Sequence, residues 1–264
     1  MYIFDTHAHY DDDWYDEDRD VLLKSMKEKN VKKICNIGAT LKGCADTLKL
    51  IDEYDFFYGA IGVHPTEIEE IEAMGEEAGL ALLREYLAHE RVVAVGEIGL
   101  DYHLDSCDDE VKGLQKKWFR LQMELAQELK LPLVIHSRDA AADTYDEMKA
   151  ADAGQIGGVV HCYSYSPEMA RQYVDMGFMI GVGGVVTFSN GRKLKETVEA
   201  IPLESIVLET DAPYLAPVPY RGKRNSSAYI SYVAEAIADI KKIPVEGVYE
   251  TTYENAHRLY RLTM

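Results

Sequence analysis

The sequence predicts an α/β fold: a (β/α)8 TIM barrel, formed as a single domain over residues 1–264 with extra C-terminal helices. Three observations predict it. Eight short runs rich in Val and Ile recur along the chain, nearly continuous in apolarity, as in strands covered on both faces. Longer amphipathic stretches separate them. No Gly/Ser/Pro-rich linker or low-complexity segment breaks the alternation, so eight βα units fit one barrel. An open doubly wound sheet is the competing arrangement. It would carry a glycine-rich phosphate loop after its first strand, where this chain has Asp5-Thr6-His7-Ala8-His9.

Each element has its own signal. The first run, 2–6, leads into His7 and His9, which point to the same side of an extended chain. Asp11, Asp12 and Asp13 suit the start of a helix, predicted over 14–30. The second strand, 31–38, precedes a helical pattern over 42–54. The third, 56–63, runs into His64-Pro65, and the fourth, 92–98, into Gly96-Glu97-Ile98-Gly99-Leu100-Asp101. The clearest helix spans 109–130, where Val111, Leu114, Trp118, Leu121, Leu125 and Leu129 step by threes and fours. The fifth strand, 131–136, ends in His136-Ser137-Arg138-Asp139, and the sixth, 157–162, in His161-Cys162. The seventh, 177–182, precedes a short helix over 192–200. The eighth, 205–210, closes in Glu209-Thr210-Asp211. A long loop then leads to two helices, near 226–240 and 245–261.

Composition narrows the function. A formal net charge of −18 argues against a protein that coats nucleic acid by charge alone. It leaves room for an enzyme that grips phosphate through bound cations. No run approaches the roughly 18–20 apolar residues of a membrane span. The N-terminus has acids where an export signal carries lysines, so no membrane association is expected. The four cysteines have no CxxC spacing, and a reduced, cytoplasmic protein is expected. No coiled-coil pattern or exposed apolar stripe argues for assembly, and a monomer is expected.

Five of the eight histidines stand at C-terminal strand ends: His7, His9, His64, His136 and His161. In a barrel these ends converge on one face. Glu97 and Asp211 join them there, and carboxylates gathered at a barrel mouth are costly unless a cation or donor neutralises them. Imidazoles with carboxylates suit Zn, Mn or Fe, and Mg more weakly. Four histidines and two carboxylates exceed what one tetrahedral ion uses, and two divalent metal ions bridged by a carboxylate account for the count.

The segments DTHAH, GVHP, GEIGLDYH, LPLVIHSRDA, HCYS and ETDAPYLAP, in this order, resemble the TatD family of metal-dependent deoxyribonucleases within the amidohydrolase superfamily. GKRN at 222–225 and Asn255-Ala256 extend the resemblance over essentially the whole chain. It implies His7, His9 and Asp211 on one ion, His136 and His161 on a second, Glu97 bridging them, and His64 near the centre. It also implies hydrolysis of DNA, single-stranded or at 3′ ends, by 3′-to-5′ exonuclease trimming. Two departures stand out. Ser226-Ser227 replaces Glu-Pro, and Tyr165 replaces a glycine; both are expected in loops that touch substrate.

Asp211, Glu97 and His64 are the catalytic candidates, with Asp211 as proton acceptor. Arg138, beside His136, is expected to hold a phosphate oxygen or pair with Asp139. Arg221, Lys223 and Arg224 form a basic spot after strand eight and are expected at phosphate. Tyr102, His103, Tyr163 and Tyr165 are candidates for stacking on bases. Glu209 is expected to face the barrel interior and orient a ligand histidine. His89 and His257 are expected on helices, with no role. Two rival readings remain: a hydrolase of a small ester, amide or lactone using the same centre, and a catalytically inactive metal-binding module.

Overall fold

The computed structural model describes residues 1–103 and 107–264. Its strands are β1 (Ile3–Ala8), β2 (Val31–Ile37), β3 (Phe57–Ile61), β4 (Val92–Asp101), β5 (Leu133–Arg138), β6 (Gly158–Val160), β7 (Phe178–Val182) and β8 (Ile206–Leu208). They form one sheet in sequence order, each paired in parallel with the next. The ring closes between β8 and β1 through a parallel bridge from Ala8 to Ala212. Beside it the Asp211 amide donates to the His7 carbonyl at 2.9 Å and the His9 amide to the Ala212 carbonyl at 2.7 Å. The closed parallel ring with helices between its strands is the predicted (β/α)8 barrel.

The helices are α1 (Arg19–Ser25), α2 (Leu41–Glu53), α3 (Ile68–Met74), α4 (Glu76–Leu87), α5 (Asp109–Leu129), α6 (Ala141–Ala150), α7 (Pro167–Asp175), α8 (Arg192–Ala200), α9 (Ile230–Lys241) and α10 (Val245–Leu259). Among the described residues no helix is long and apolar enough to cross a membrane. One apolar layer lies between the sheet and the helices. A second fills the barrel, where Phe4, Cys35, Ile37, Val93, Val134, Val159 and Val207 meet Ala256, Leu259 and Tyr260 from the end of α10. The Tyr260 hydroxyl donates to the Thr6 carbonyl at 2.6 Å, so α10 stops the floor of the barrel. Side chains on a strand alternate between faces. Two residues beyond the apolar floor, the same inward face therefore presents His136, His161 and Glu209.

Two of the differences from the sequence prediction bear on the site. The helix expected over 14–30 is broken into a 3-10 turn at Asp13–Tyr15, α1, and a second 3-10 turn at Met26–Lys29. Tertiary contacts override the pattern: Tyr15 is buried and its hydroxyl donates to the Asn225 carbonyl at 2.8 Å. β4 continues past Ile98 to Asp101. Gly99 permits this, since a Cβ there would stand 1.9 Å from the His136 carbonyl oxygen and its φ is +146°. His89 lies just past the end of α4 rather than on it, whereas His257 is on α10.

Candidate metal centre

A cavity of about 700 Å³ opens at the C-terminal strand ends, with His9, His64, Glu97, His136, His161 and Asp211 on its walls. Glu97 sits at its base, buried, with its two carboxylate oxygens facing different partners. Oε2 lies 3.5 Å from His7 Nε2 and 3.7 Å from His9 Nε2. Asp211 Oδ1 lies 3.7 and 3.5 Å from the same two nitrogens, which are 3.1 Å apart. Donors about 2.0–2.2 Å from a tetrahedral ion stand roughly 3.3–3.6 Å from one another. Oε1 lies 2.6 Å from His161 Nε2, 2.8 Å from His136 Nδ1 and 3.7 Å from His64 Nε2. The residues therefore form three groups able to hold metal: His7, His9 and Asp211; His7, Glu97 and His161; and His64, Glu97 and His136.

The charges fit cations. Glu97 is held well below the usual carboxylate range; burial opposes this, but the charge of His161 and hydrogen bonds from His136 and His161 outweigh it. Asp211 is also lowered against burial, chiefly by its hydrogen bond from His9. His9 is pushed up to about 10, burial being overcome by the Asp211 hydrogen bond and the Glu97 charge. His136 rises to about 9, burial being overcome by hydrogen bonds to Asp101 and Glu97. His161 is raised too, chiefly by the Glu97 charge against burial. Imidazolium protons thus supply the positive charge these carboxylates require, which divalent cations would supply in their place. His7 and His64 stay neutral: burial drives them down to about 4 and about 3.

Outer residues aim this set. His136 Nε2 lies 3.0 Å from Asp101 Oδ2, leaving Nδ1 toward Glu97. The Asp101 backbone is gripped on both polar groups by the Gln115 amide of α5, at 2.9 and 2.9 Å. Gln122, two turns on, grips Val63, the residue before His64, in the same way at 2.8 and 3.1 Å. His9 Nδ1 meets the Ile37 carbonyl at 2.9 Å, leaving Nε2 toward the cluster. Glu209 is buried beside His161, 4.0 Å from its Nδ1, and accepts from the Cys162 amide at 2.5 Å. Burial pushes its carboxyl up to about 8. Gly181 makes its space, since a Cβ there would lie 2.2 Å from Glu209 Oε2.

The profile of the family described as TatD related DNase matches residues 4–261. The chain belongs to this family. It is 43% identical to YabD of Bacillus subtilis, an uncharacterised metal-dependent hydrolase, over 98% of this chain and 99% of that protein. It is 35% identical to YcfH of Escherichia coli K12, named likewise, over 99% and 97%. Among solved structures, the TatD homologue YjjV of Escherichia coli K12 superposes with a TM-score of 0.90 at 29% identity, over 99% of this chain and 98% of that one. A TatD family hydrolase from Entamoeba histolytica gives 0.88 at 27%, over 100% and 99%. The protein is a metal-dependent hydrolase of the TatD family.

The other residues singled out in the sequence fall in different places around this TatD-type barrel. Arg138 is exposed on the cavity wall. Its neighbour Asp139 pairs with His103 at 2.7 Å instead. Arg224 is turned away: it grips Asp18 through two bonds of 2.7 Å, donates to the Trp14 carbonyl at 2.6 Å and lies over the Tyr15 ring. Arg221 lies over Phe188, and Lys223 is exposed. Tyr165 stands behind Ser137, 3.0 Å from its hydroxyl, and accepts from the Ala140 amide. Tyr163 is buried, with its hydroxyl donating to the Ser166 carbonyl at 2.6 Å; it has no face for a base.

The expectation that Ser226-Ser227 touches substrate is corrected. Both are buried. Ser227 donates to Asp5 Oδ2 at 2.6 Å and exchanges hydrogen bonds with Tyr10. Asp5 also receives the Thr210 hydroxyl at 2.6 Å and amide at 3.1 Å. The pair locks the loop after β8 to the seam of the barrel.

Proposed function

We propose that this protein hydrolyses DNA phosphodiester bonds using two divalent ions, Zn, Mn or Mg, and trims single strands from the 3′ end. One observation carries the reading: the two oxygens of Glu97 divide between two sets of donors, His7, His9 and Asp211 on one side and His136 and His161 on the other. Ions held there would polarise a phosphoryl oxygen and acidify water. Asp211 remains ionised at the mouth, with φ +57° holding its carboxylate toward the cavity, and it orients the attacking water and accepts its proton. Neutral His64, 3.7 Å from Glu97 Oε1, offers a ring nitrogen at the reacting group; its Nδ1 is engaged by Thr66 at 2.7 Å. Arg138 holds a phosphate oxygen on the wall. Arg221 and Lys223 lie further out on the β8 loop, where they steer the strand.

A second reading draws on the acidic residues of the cavity. Asp11, Asp12 and Glu67 line the same cavity, and that acidity favours a small ester, amide or lactone. Metal-loaded protein is assayed on 3′-labelled and 5′-labelled single-stranded oligonucleotides, and on a panel of such small substrates. Release of label as mononucleotide from the 3′-labelled strand first, abolished by chelation and restored by metal, is the expected result. Turnover of the small substrates alone refutes the nuclease reading.

A further inference from the structure

His103 lines this cavity, and beside it stand two aromatic faces that the motifs did not suggest. Trp14 and Tyr214 are 59% and 48% exposed, and their rings lie 6.2 Å apart. Tyr214 lines the cavity, with its ring 6.5 Å from that of His9. It follows the Asp211 turn directly, its amide donating to the Asp211 carbonyl at 2.7 Å. The Tyr214 ring is pinned through its hydroxyl, and Trp14 is held through its backbone. The Tyr214 hydroxyl donates to Asp12 Oδ2 at 2.8 Å, and the other oxygen of Asp12 accepts from the Trp14 amide at 2.8 Å. Arg224 holds the Trp14 carbonyl and, through Asp18, the start of α1. Together with the burial of Tyr15, these contacts break the start of the helix expected over 14–30.

We propose that Trp14 and Tyr214 form a nucleobase platform at the mouth of the metal centre, on which a base next to the scissile bond stacks. The inference rests on the nuclease reading and names the part of the substrate that this wall takes. Asp12, bonded to both residues, and Asp11 on the same cavity repel phosphate, so the wall suits a neutral, flat, π-faced group. Arg138, across the cavity, takes the charged one. Stacking of a base on an aromatic side chain is tolerant of sequence and strong enough to order a strand end. Arg224 is then a positioning residue, acting through Trp14.

The chain has two tryptophans, and the other, Trp118, is fully buried with its indole N–H on Glu72. Trp118 is shielded from ligand, so a change in indole emission on titration reports on Trp14. Metal-loaded protein is titrated with thymidine 5′-monophosphate and with 2-deoxyribose 5-phosphate, neither of which has a phosphodiester to cleave. Saturable quenching by the nucleotide and none by the sugar phosphate is expected. In the kinetic arm, an oligonucleotide with an intact 3′ end is compared with one abasic there. The ratio of kcat/KM between them is expected to fall roughly 5- to 100-fold in Trp14→Ala, and to be largely kept in Trp14→Phe. Equal quenching by both ligands, or an unchanged ratio in folded Trp14→Ala and Tyr214→Ala, overturns the platform. So does a response to phosphatidylcholine vesicles with none to nucleotide. Absence of any DNA cleavage, with nucleotide-selective quenching intact, sinks the nuclease reading and leaves the platform standing.

Discussion

Ser227→Ala tests the claim that the Ser226-Ser227 departure is structural. Ser227 donates to Asp5 at 2.6 Å, and a hydrogen bond to a charged group contributes about 1.5–3 kcal/mol. Burial pushes Asp5 up to about 6 from an ordinary 3.8, moderated by the donors Ser227, Thr210 and His7. A carboxyl raised on folding favours the folded state fully below its unfolded value, and this contribution is lost as pH climbs through its folded value. For Asp5 that window runs from about 3.8 to about 6, a loss of roughly 3 kcal/mol. Losing the Ser227 donor lifts Asp5 further, so the mutant deficit is small at pH 5 and full at pH 8. The expected deficit at pH 8 is about 2–3 kcal/mol, or roughly 4–12 °C in Tm. Urea denaturation of both proteins at pH 5 and pH 8, at equal ion load, measures it. Equal deficits at the two pH values would refute the reasoning. So would a changed KM with unaltered stability, which would return Ser227 to the substrate.

Asp211→Asn keeps the size and one ligand oxygen and removes basicity, so kcat at saturating metal is expected to fall at least ~100-fold with little change in Tm. Near-normal kcat would move the base to His64. The double variant His7→Ala/His9→Ala is expected to lower bound metal from about two ions per chain to about one, read by elemental analysis; retention of both would undo the assignment of β1. Because His9 at about 10 and His136 at about 9 hold protons in the ion-free site, metal loading at pH 7 is expected to release protons and to tighten as pH rises. Calorimetry in buffers of differing ionisation enthalpy reads this, and a pH-independent affinity would refute it.

The barrel was legible because its strands are apolar on both faces and its helices follow a 3.6-residue period. The donor set was legible because metal chemistry restricts residue types and strand ends converge. Asp101 was missed although its signal was present. It lies four residues after Glu97, and an even spacing along an extended chain puts both on one face; assuming that the strand stopped at Ile98 hid this. Gln115 and Gln122 were hidden differently, because polar residues on an amphipathic helix read as solvent-facing until the strand ends they grip are known. Ser227 was assigned to a substrate loop by its departure from the family's Glu-Pro, and Arg224 to phosphate by its closeness to Asp211 in sequence. Their true partners, Asp5 and Asp18, come from the other end of the chain, and no local pattern encodes such a pairing.

The seam between β8 and β1 has a consequence for biosynthesis. His7 and His9 are translated well before Asp211 and the α10 floor. A ribosome releases the chain N-terminus first. The paired imidazoles therefore wait, until β8 and α10 emerge, without their carboxylate partner or their barrel. A nascent chain can bind an ion at these histidines only weakly and in open geometry, and capture in the finished cluster follows release of the C-terminal segment. Truncations that remove α10 are accordingly expected to uncouple this centre from its metal even where every ligand is still encoded.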